Sequence, residues 1–143
     1  MTDRTSPLLK VRNLTVEFLL EDLWHPAIRD VSFDLFPGET FGLAGESGCG
    51  KSTAATAIMG MLPDNGRVRQ GQVLFRDADL LDLSSDERRK IWWRDIAMIF
   101  QGSLNSLNPV RRVGSQITEI LRVRKGLNSQ KAREKAQDLF RLI

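Results

Sequence analysis

Residues 40–53 read T-F-G-L-A-G-E-S-G-C-G-K-S-T, and from Gly45 to Ser52 they match the pattern G-x-x-x-x-G-K-[S/T]. Glycines 45, 48 and 50 accept backbone angles that other residues resist, so successive N–H groups can turn inward around an anion. Lys51 follows as a compact positive charge for outer phosphates. Ser52 carries a hydroxyl suited to a magnesium ion, and Thr53 stands beside it where a helix opens with its positive end toward the same phosphates. A pattern of this length arises by chance in on the order of 1% of chains this long, so its surroundings matter. Residues 41–44 are nearly all apolar, as in a buried strand, and residues 54–62 (AATAIMGML) form helix-favouring sequence ahead of Pro63. Strand, glycine loop and helix therefore stand in the order a phosphate cradle needs.

The chain has 143 residues, of which 41% are hydrophobic and 27% charged, a globular composition. No apolar run approaches the roughly 18 residues that span a bilayer, and the first residues lack the apolar segment of a signal peptide. The single cysteine, Cys49, excludes an internal disulfide. A cytoplasmic location is expected on these grounds. The net charge of +3 is unevenly spread, because residues 111–143 hold nine Lys and Arg against three Asp and Glu. A basic segment raises nucleic acid as a partner, but Phe140 is its only aromatic, which argues against stacking on exposed bases. A solvated helix face, or a docking surface for an acidic protein segment, fits better.

Outward from the cradle, residues 9–20 read as a half-buried strand and residues 21–26 as a loop. Residues 30–35 alternate, with Val31, Phe33 and Leu35 on one face, as in an antiparallel strand. A turn is expected at residues 63–66, a strand at 71–76 and a loop at 77–82. Ser84 and Glu87 have the spacing of a capping box opening a helix through Arg94; the adjacent Trp92 and Trp93 cannot both face inward. Residues 96–100 (IAMIF) read as a second buried strand ending at Gln101. In open parallel sheets ligands sit beyond the carboxyl ends of strands. There the Gln101 carbonyl can join a magnesium shell while its NH2 orients water, although a structural glutamine at a strand end reads equally well. Val113, Ile117 and Leu121, with Ile120, mark one helix ended by Gly126; Ala132, Ala136, Leu139, Phe140 and Ile143 mark another after Asn128.

Taken together, GESGCGKST, IAMIFQ, the SLNP of residues 106–109 and the RVGSQI of residues 112–117 resemble the ATP-binding subunit of ABC transporters, and within it the branch importing dipeptides, oligopeptides or nickel. The resemblance implies an α/β P-loop NTPase fold, with an N-terminal antiparallel β subdomain, a RecA-like core reaching residue 110 from residue 8, and the start of a helical subdomain over 111–143. It implies that Gly45, Glu46, Ser47, Gly48, Cys49, Gly50, Lys51, Ser52 and Thr53 form the loop around Mg-ATP, with Ser52 and Gln101 as magnesium ligands. Lys51 and Gln101 are then the residues acting in hydrolysis and coupling. Phe18, 27 residues before Gly45, corresponds to the aromatic that stacks on adenine, a contact worth roughly 1–3 kcal/mol; a core role for Phe18, with Trp24 as the base platform, is the alternative.

The implied partners are transmembrane permease subunits, a second ATP-binding subunit that closes head to tail, and, indirectly, an extracytoplasmic solute-binding protein; nucleic acid is not among them. The implied location is peripheral, on the cytoplasmic face of the membrane. The chain departs from the family in having Gly102-Ser103 after the glutamine, no LSGGQ signature and no apolar strand ending in Asp-Glu, and its only histidine, His25, precedes the cradle. The resemblance therefore implies the N-terminal half of a longer subunit, cut within the helical subdomain. Two other readings stand beside it: a truncated fragment that holds nucleotide without turnover, and an ABC-type ATPase of DNA repair or translation.

Overall fold

The computed structural model describes residues 6–92, 94–100, 102 and 107–142. The chain divides into two compact units, Met1–Arg88 and Arg89–Ile143.

The first unit is built on an antiparallel sheet of order β2-β1-β3-β4, with β1 at Leu9–Leu20, β2 at Leu23–Leu35, β3 at Gly66–Phe75 and β4 at Ala78–Asp79. Val11, Leu14, Val16 and Val73 lie fully buried, each removal from water contributing roughly 1.5–3 kcal/mol. Helix α1, Lys51–Ile58, contacts β1 and β2, and Ala54 and Ala57 are its buried residues.

The loop expected over residues 21–26 is much shorter: β2 already begins at Leu23, opposite Leu20. Glu21 (φ 47°) and Asp22 (φ 63°) make a two-residue left-handed turn, and Arg76 (φ 49°) and Asp77 (φ 66°) repeat it between β3 and β4. Such turns match the twist of the strands they join. Neither carries the Asn-Gly or Asp-Gly pair that announces them in sequence.

Helix α1 also ends earlier than Pro63 suggests. Gly60 takes φ 63°, its N–H donates to the Ala57 carbonyl at 2.9 Å, and the Met61 N–H donates to the Thr56 carbonyl at 2.8 Å. These are the paired bonds of a Schellman motif, which uses a glycine to close a helix.

The two expected buried strands are not strands. Residues 41–44 have no regular structure and no backbone hydrogen bond among the described residues, and Phe41 and Leu43 are exposed. Residues 97–100 are likewise irregular, with only a bridge between Ile96 and Trp92, and Ile99 is 90% exposed. An apolar run reports that a segment suits burial; a strand also needs a neighbouring backbone to pair with, and neither segment has one here. What holds Phe41 is a stack on Phe33, with ring centroids 4.9 Å apart.

Helix α2, Ser85–Ile91, is capped as its spacing requires: Glu87 Oε2 accepts from the Ser84 N–H at 2.9 Å and from its hydroxyl at 2.6 Å. It stops three residues short of Arg94, where the N–H groups of Arg94, Asp95 and Ile96 all converge on the Ile91 carbonyl.

The second unit contains the hairpin of α3 (Val113–Lys125) and α4 (Ser129–Arg141), closed by Gly126 at φ 63° and by Asn128, whose side chain accepts from the Lys131 N–H at 2.9 Å. Leu121, Ala132 and Ala136 meet in its core, flanked by Ile117 and Leu127. The alanines allow close approach of the helices, whereas Val113, Ile120, Leu139 and Phe140 of the expected stripes remain exposed. Gln116 ties the preceding turn, accepting from the Asn108 N–H and donating to the Asn108 and Arg111 carbonyls.

Candidate phosphate-binding site

The glycine loop sits at the head of α1, and its geometry follows from three glycines with different duties. Gly48 (φ 82°) and Gly50 (φ 95°) occupy left-handed backbone that other residues pay about 1–2 kcal/mol to enter. At Gly45 space is the constraint: a Cβ there would lie 2.6 Å from Cys49 Sγ. Gly50 meets both conditions, since its Cβ would fall 2.2 Å from Ile28 Cγ2. The loop is thus pressed onto β2, with backbone standing where side chains do not fit.

Helix α1 begins at Lys51 with Gly50 as its N-cap, and no side chain caps it and no acidic residue stands in its first turn. The first internal bond of the helix runs from the Ala54 N–H to the Gly50 carbonyl at 2.9 Å. The N–H groups of Lys51, Ser52 and Thr53 consequently have no protein acceptor among the described residues, and the helix dipole adds positive potential at the same place. Lys51 folds back over the loop: its Nζ donates to the Gly45 carbonyl at 2.8 Å and the Glu46 carbonyl at 2.7 Å, and lies 3.4 Å from Cys49 Sγ. A cation, free N–H groups and an exposed Ser52 hydroxyl therefore converge at one helix terminus, the arrangement that receives polyphosphate. Glu46, Ser47 and Cys49 are exposed members of the same loop.

Beyond the loop, register sorts the two aromatic candidates. Strands β1 and β3 pair as Val16↔Val68, Glu17↔Arg67 and Phe18↔Gly66, and Val16 pairs with Ile28 on β2. Successive strand residues face opposite ways. Phe18, Val16 and Ile28 thus share the face that meets Gly50, while Glu17, Leu19 and its partner Trp24 lie on the other. Trp24 has the Arg67 guanidinium 3.8 Å from its ring centroid. Glu17 is buried and held by Arg67 at 3.0 Å and Arg69 at 2.7 Å. The hydrogen bond from Arg69 in particular holds its carboxyl below the ordinary glutamate range, with Arg67 assisting against the cost of burial. Gln101 lies outside the described residues.

Sequence reading missed Ile28 as a wall of the glycine loop, because an isolated isoleucine in a strand signals only burial. It also missed the Glu17–Arg67–Arg69 network, whose members are scattered over two strands and read singly as surface charges. An alternation of Glu17 with Val16 and Phe18 was the one available hint that Glu17 occupies a distinct face.

Comparison with known proteins identifies the family and the fold. The chain is 43% identical to the dipeptide transport ATP-binding protein DppD of Bacillus subtilis over 137 residues, which cover 95% of this chain and 41% of that protein. It is 42% identical to the oligopeptide transport ATP-binding protein AmiE of Streptococcus pneumoniae, covering 100% of this chain and 41% of AmiE. It thus spans about two fifths of the length of the curated relatives it matches. Among solved structures, the dimeric structure of MJ0796, a bacterial ABC transporter cassette, superposes with a TM-score of 0.73 at 22% identity, over 91% of this chain and 54% of that one. The same superposition values hold for the post-hydrolysis state of MJ0796 bound to ADP and Pi. The fold is accordingly that of an α/β P-loop NTPase of the ABC cassette type. The family model for ABC transporters matches residues 28–142, taking in the glycine loop, its helix and the helical hairpin alike, and the chain belongs to that family.

Proposed function

We propose that this chain is the nucleotide-binding portion of the ATP-binding subunit of an ABC-type importer for peptides or a related solute, and that residues 45–53 hold the phosphates of Mg-ATP. The observation that carries the reading is the convergence of Lys51 Nζ with the uncapped first turn of α1. Phosphate oxygens compete for the Lys51 ammonium against the Gly45 and Glu46 carbonyls, and the N–H groups of the first turn donate to them without cost to any existing bond. The base stacks on Phe18, which shares its sheet face with Ile28, the neighbour of Gly50.

Magnesium fits this donor set. Mg²⁺ keeps several waters and is bound by few protein groups together with substrate phosphates rather than by an all-protein cage, and the Ser that follows the Lys of a G-x-x-x-x-G-K-[S/T] loop is one such group. Ser52 is that serine here, and Gln101 is proposed as the second group. When bound, the ion neutralises phosphate charge; the chain's part is to orient the triphosphate between Lys51 and the helix terminus.

Full activity is proposed for the assembled importer, with transmembrane permease subunits, a second ATP-binding subunit and an extracytoplasmic solute-binding protein as partners, at the cytoplasmic face of the membrane. Residues 8–110 are proposed as the β subdomain and core and 111–143 as helical subdomain. No helix of the described residues is long and apolar enough to cross a membrane. The 143-residue sequence contains no apolar run ending in Asp-Glu and no signature sequence, so by itself it binds Mg-ATP without turning it over. Titration calorimetry of the chain should show Mg-ATP binding that Lys51→Ala abolishes, and a coupled assay should show no steady-state ATPase. ATPase turnover that disappears in Lys51→Ala would contradict the second statement, and binding unaffected by Lys51→Ala would contradict the first.

A further inference from the structure

We infer that Gly66 is a positioning residue for nucleotide binding: it provides the empty space in which the Phe18 ring is seated, and so sets where the base stacks. The inference rests on the reading of Phe18 as the base platform. Gly66 opens β3 and has no left-handed φ that would call for a glycine. Space accounts for it. A Cβ at position 66 would lie 2.7 Å from Phe18 Cε1 and 3.1 Å from Cδ1, so one edge of the ring rests on the glycine.

The seat is also tied to the phosphate loop by the chain itself. After α1 closes at Gly60, the turn ending at Gly66 is held by the Gly66 N–H to the Pro63 carbonyl at 2.8 Å, and it is latched to β1 by the Leu19 N–H donating to the Asn65 carbonyl at 2.8 Å. The Asn65 side-chain amide reaches the Leu19 carbonyl at 3.4 Å. The residue beside Phe18 is therefore bonded to the turn that follows the phosphate-binding helix. On the opposite face Arg67, next in sequence, is held by Glu17 and covers Trp24. Gly66 and Arg67 thus treat the two aromatics differently, leaving one ring room and occupying a face of the other.

The test compares Mg-ATP with Mg-tripolyphosphate, which has the phosphates and no base. Phe18→Ala and Gly66→Ala should each weaken ATP binding roughly five-fold or more and leave tripolyphosphate binding within about two-fold, the double variant being no weaker than Phe18→Ala alone. Gly114→Ala, where a Cβ meets nothing within 4 Å, should change neither ligand. A loss confined to Phe18→Ala overturns the role of Gly66 and leaves the base platform standing. No loss in Phe18→Ala overturns both. Equal weakening of both ligands by Gly66→Ala would reduce the contact to a structural one and also overturn the inference. Should Gly66→Ala fail to fold, the double variant should fold, because it removes the ring and leaves only the Pro63 carbonyl oxygen at 3.3 Å from the new Cβ; failure of both refutes the seat.

Discussion

Gly50 offers a sharp test of how the cradle is held. Replacing it by alanine asks two things of the chain at once: a non-glycine residue at φ 95°, and room for a methyl group 2.2 Å from Ile28 Cγ2 and 3.0 Å from the Ala27 carbonyl oxygen. The first costs about 1–2 kcal/mol and the second, an overpacking against a strand, about 1–3 kcal/mol, for a total of about 2–5 kcal/mol. Gly48→Ala isolates the first part, since Gly48 has φ 82° and a Cβ there meets nothing within 4 Å. Urea unfolding of the two variants should separate them by about 1–3 kcal/mol, with unchanged slopes. In Ile28→Ala/Gly50→Ala the shared space should produce a favourable coupling of about 0.5 kcal/mol or more. Equal destabilisation by Gly48→Ala and Gly50→Ala, within about 0.5 kcal/mol, would refute the packing of the loop onto β2.

Two further outcomes follow from the same structure. Glu17 is held below its ordinary value of 4.5 in the folded chain, so its contribution to stability is present above about 4.5 and is lost as pH falls through the lower folded value. Asp34, lowered by Arg12, adds a dependence of the same sign. Unfolding midpoints measured from pH 6 to pH 3 should therefore fall, and Glu17→Gln should fall less; parallel curves would refute the hold of Arg67 and Arg69 on the buried Glu17 carboxylate. The exposed apolar residues Phe41, Leu43, Ile99 and Phe100 should make the chain associate as concentration rises. Light scattering that shows a monomer throughout the micromolar range, with a cooperative melt above about 60 °C, would refute this.

The features legible in the sequence were those enforced by local chemistry. The glycine-rich turn ahead of a helix, the Ser84–Glu87 box, Gly126 as a helix stop and the helix start after Asn128 each depend on residues within a few positions of one another, and each is found in place. Alternation likewise placed Val31, Phe33 and Leu35 in β2. What escaped depended on partners distant in sequence. Residues 41–44 and 96–100 have the composition of buried strands, and only the absence of a paired backbone among the described residues leaves them irregular. The turns at Glu21-Asp22 and Arg76-Asp77 place a Glu and an Arg at positive φ ahead of an Asp, so no glycine-containing dipeptide announced them. Of the candidate site, the loop residues were readable one by one, whereas the assignment of Phe18 and Trp24 to opposite faces required the strand register. The wall that Ile28 gives to Gly50 joins residues 22 positions apart through the fold alone.

If residues 45–53 surround the phosphates, Cys49 reports on them directly. Its thiol is the chain's only one, is exposed and lies 3.4 Å from Lys51 Nζ, inside the loop that a triphosphate would fill. Rates of alkylation followed by intact mass, with and without Mg-ATP, are the measurement. Modification should be fast in the free chain, slow several-fold in saturating Mg-ATP, and lose that protection in Lys51→Ala. Fast modification that Mg-ATP leaves unchanged, in a chain shown by calorimetry to bind the nucleotide, would place the phosphates elsewhere and contradict the account.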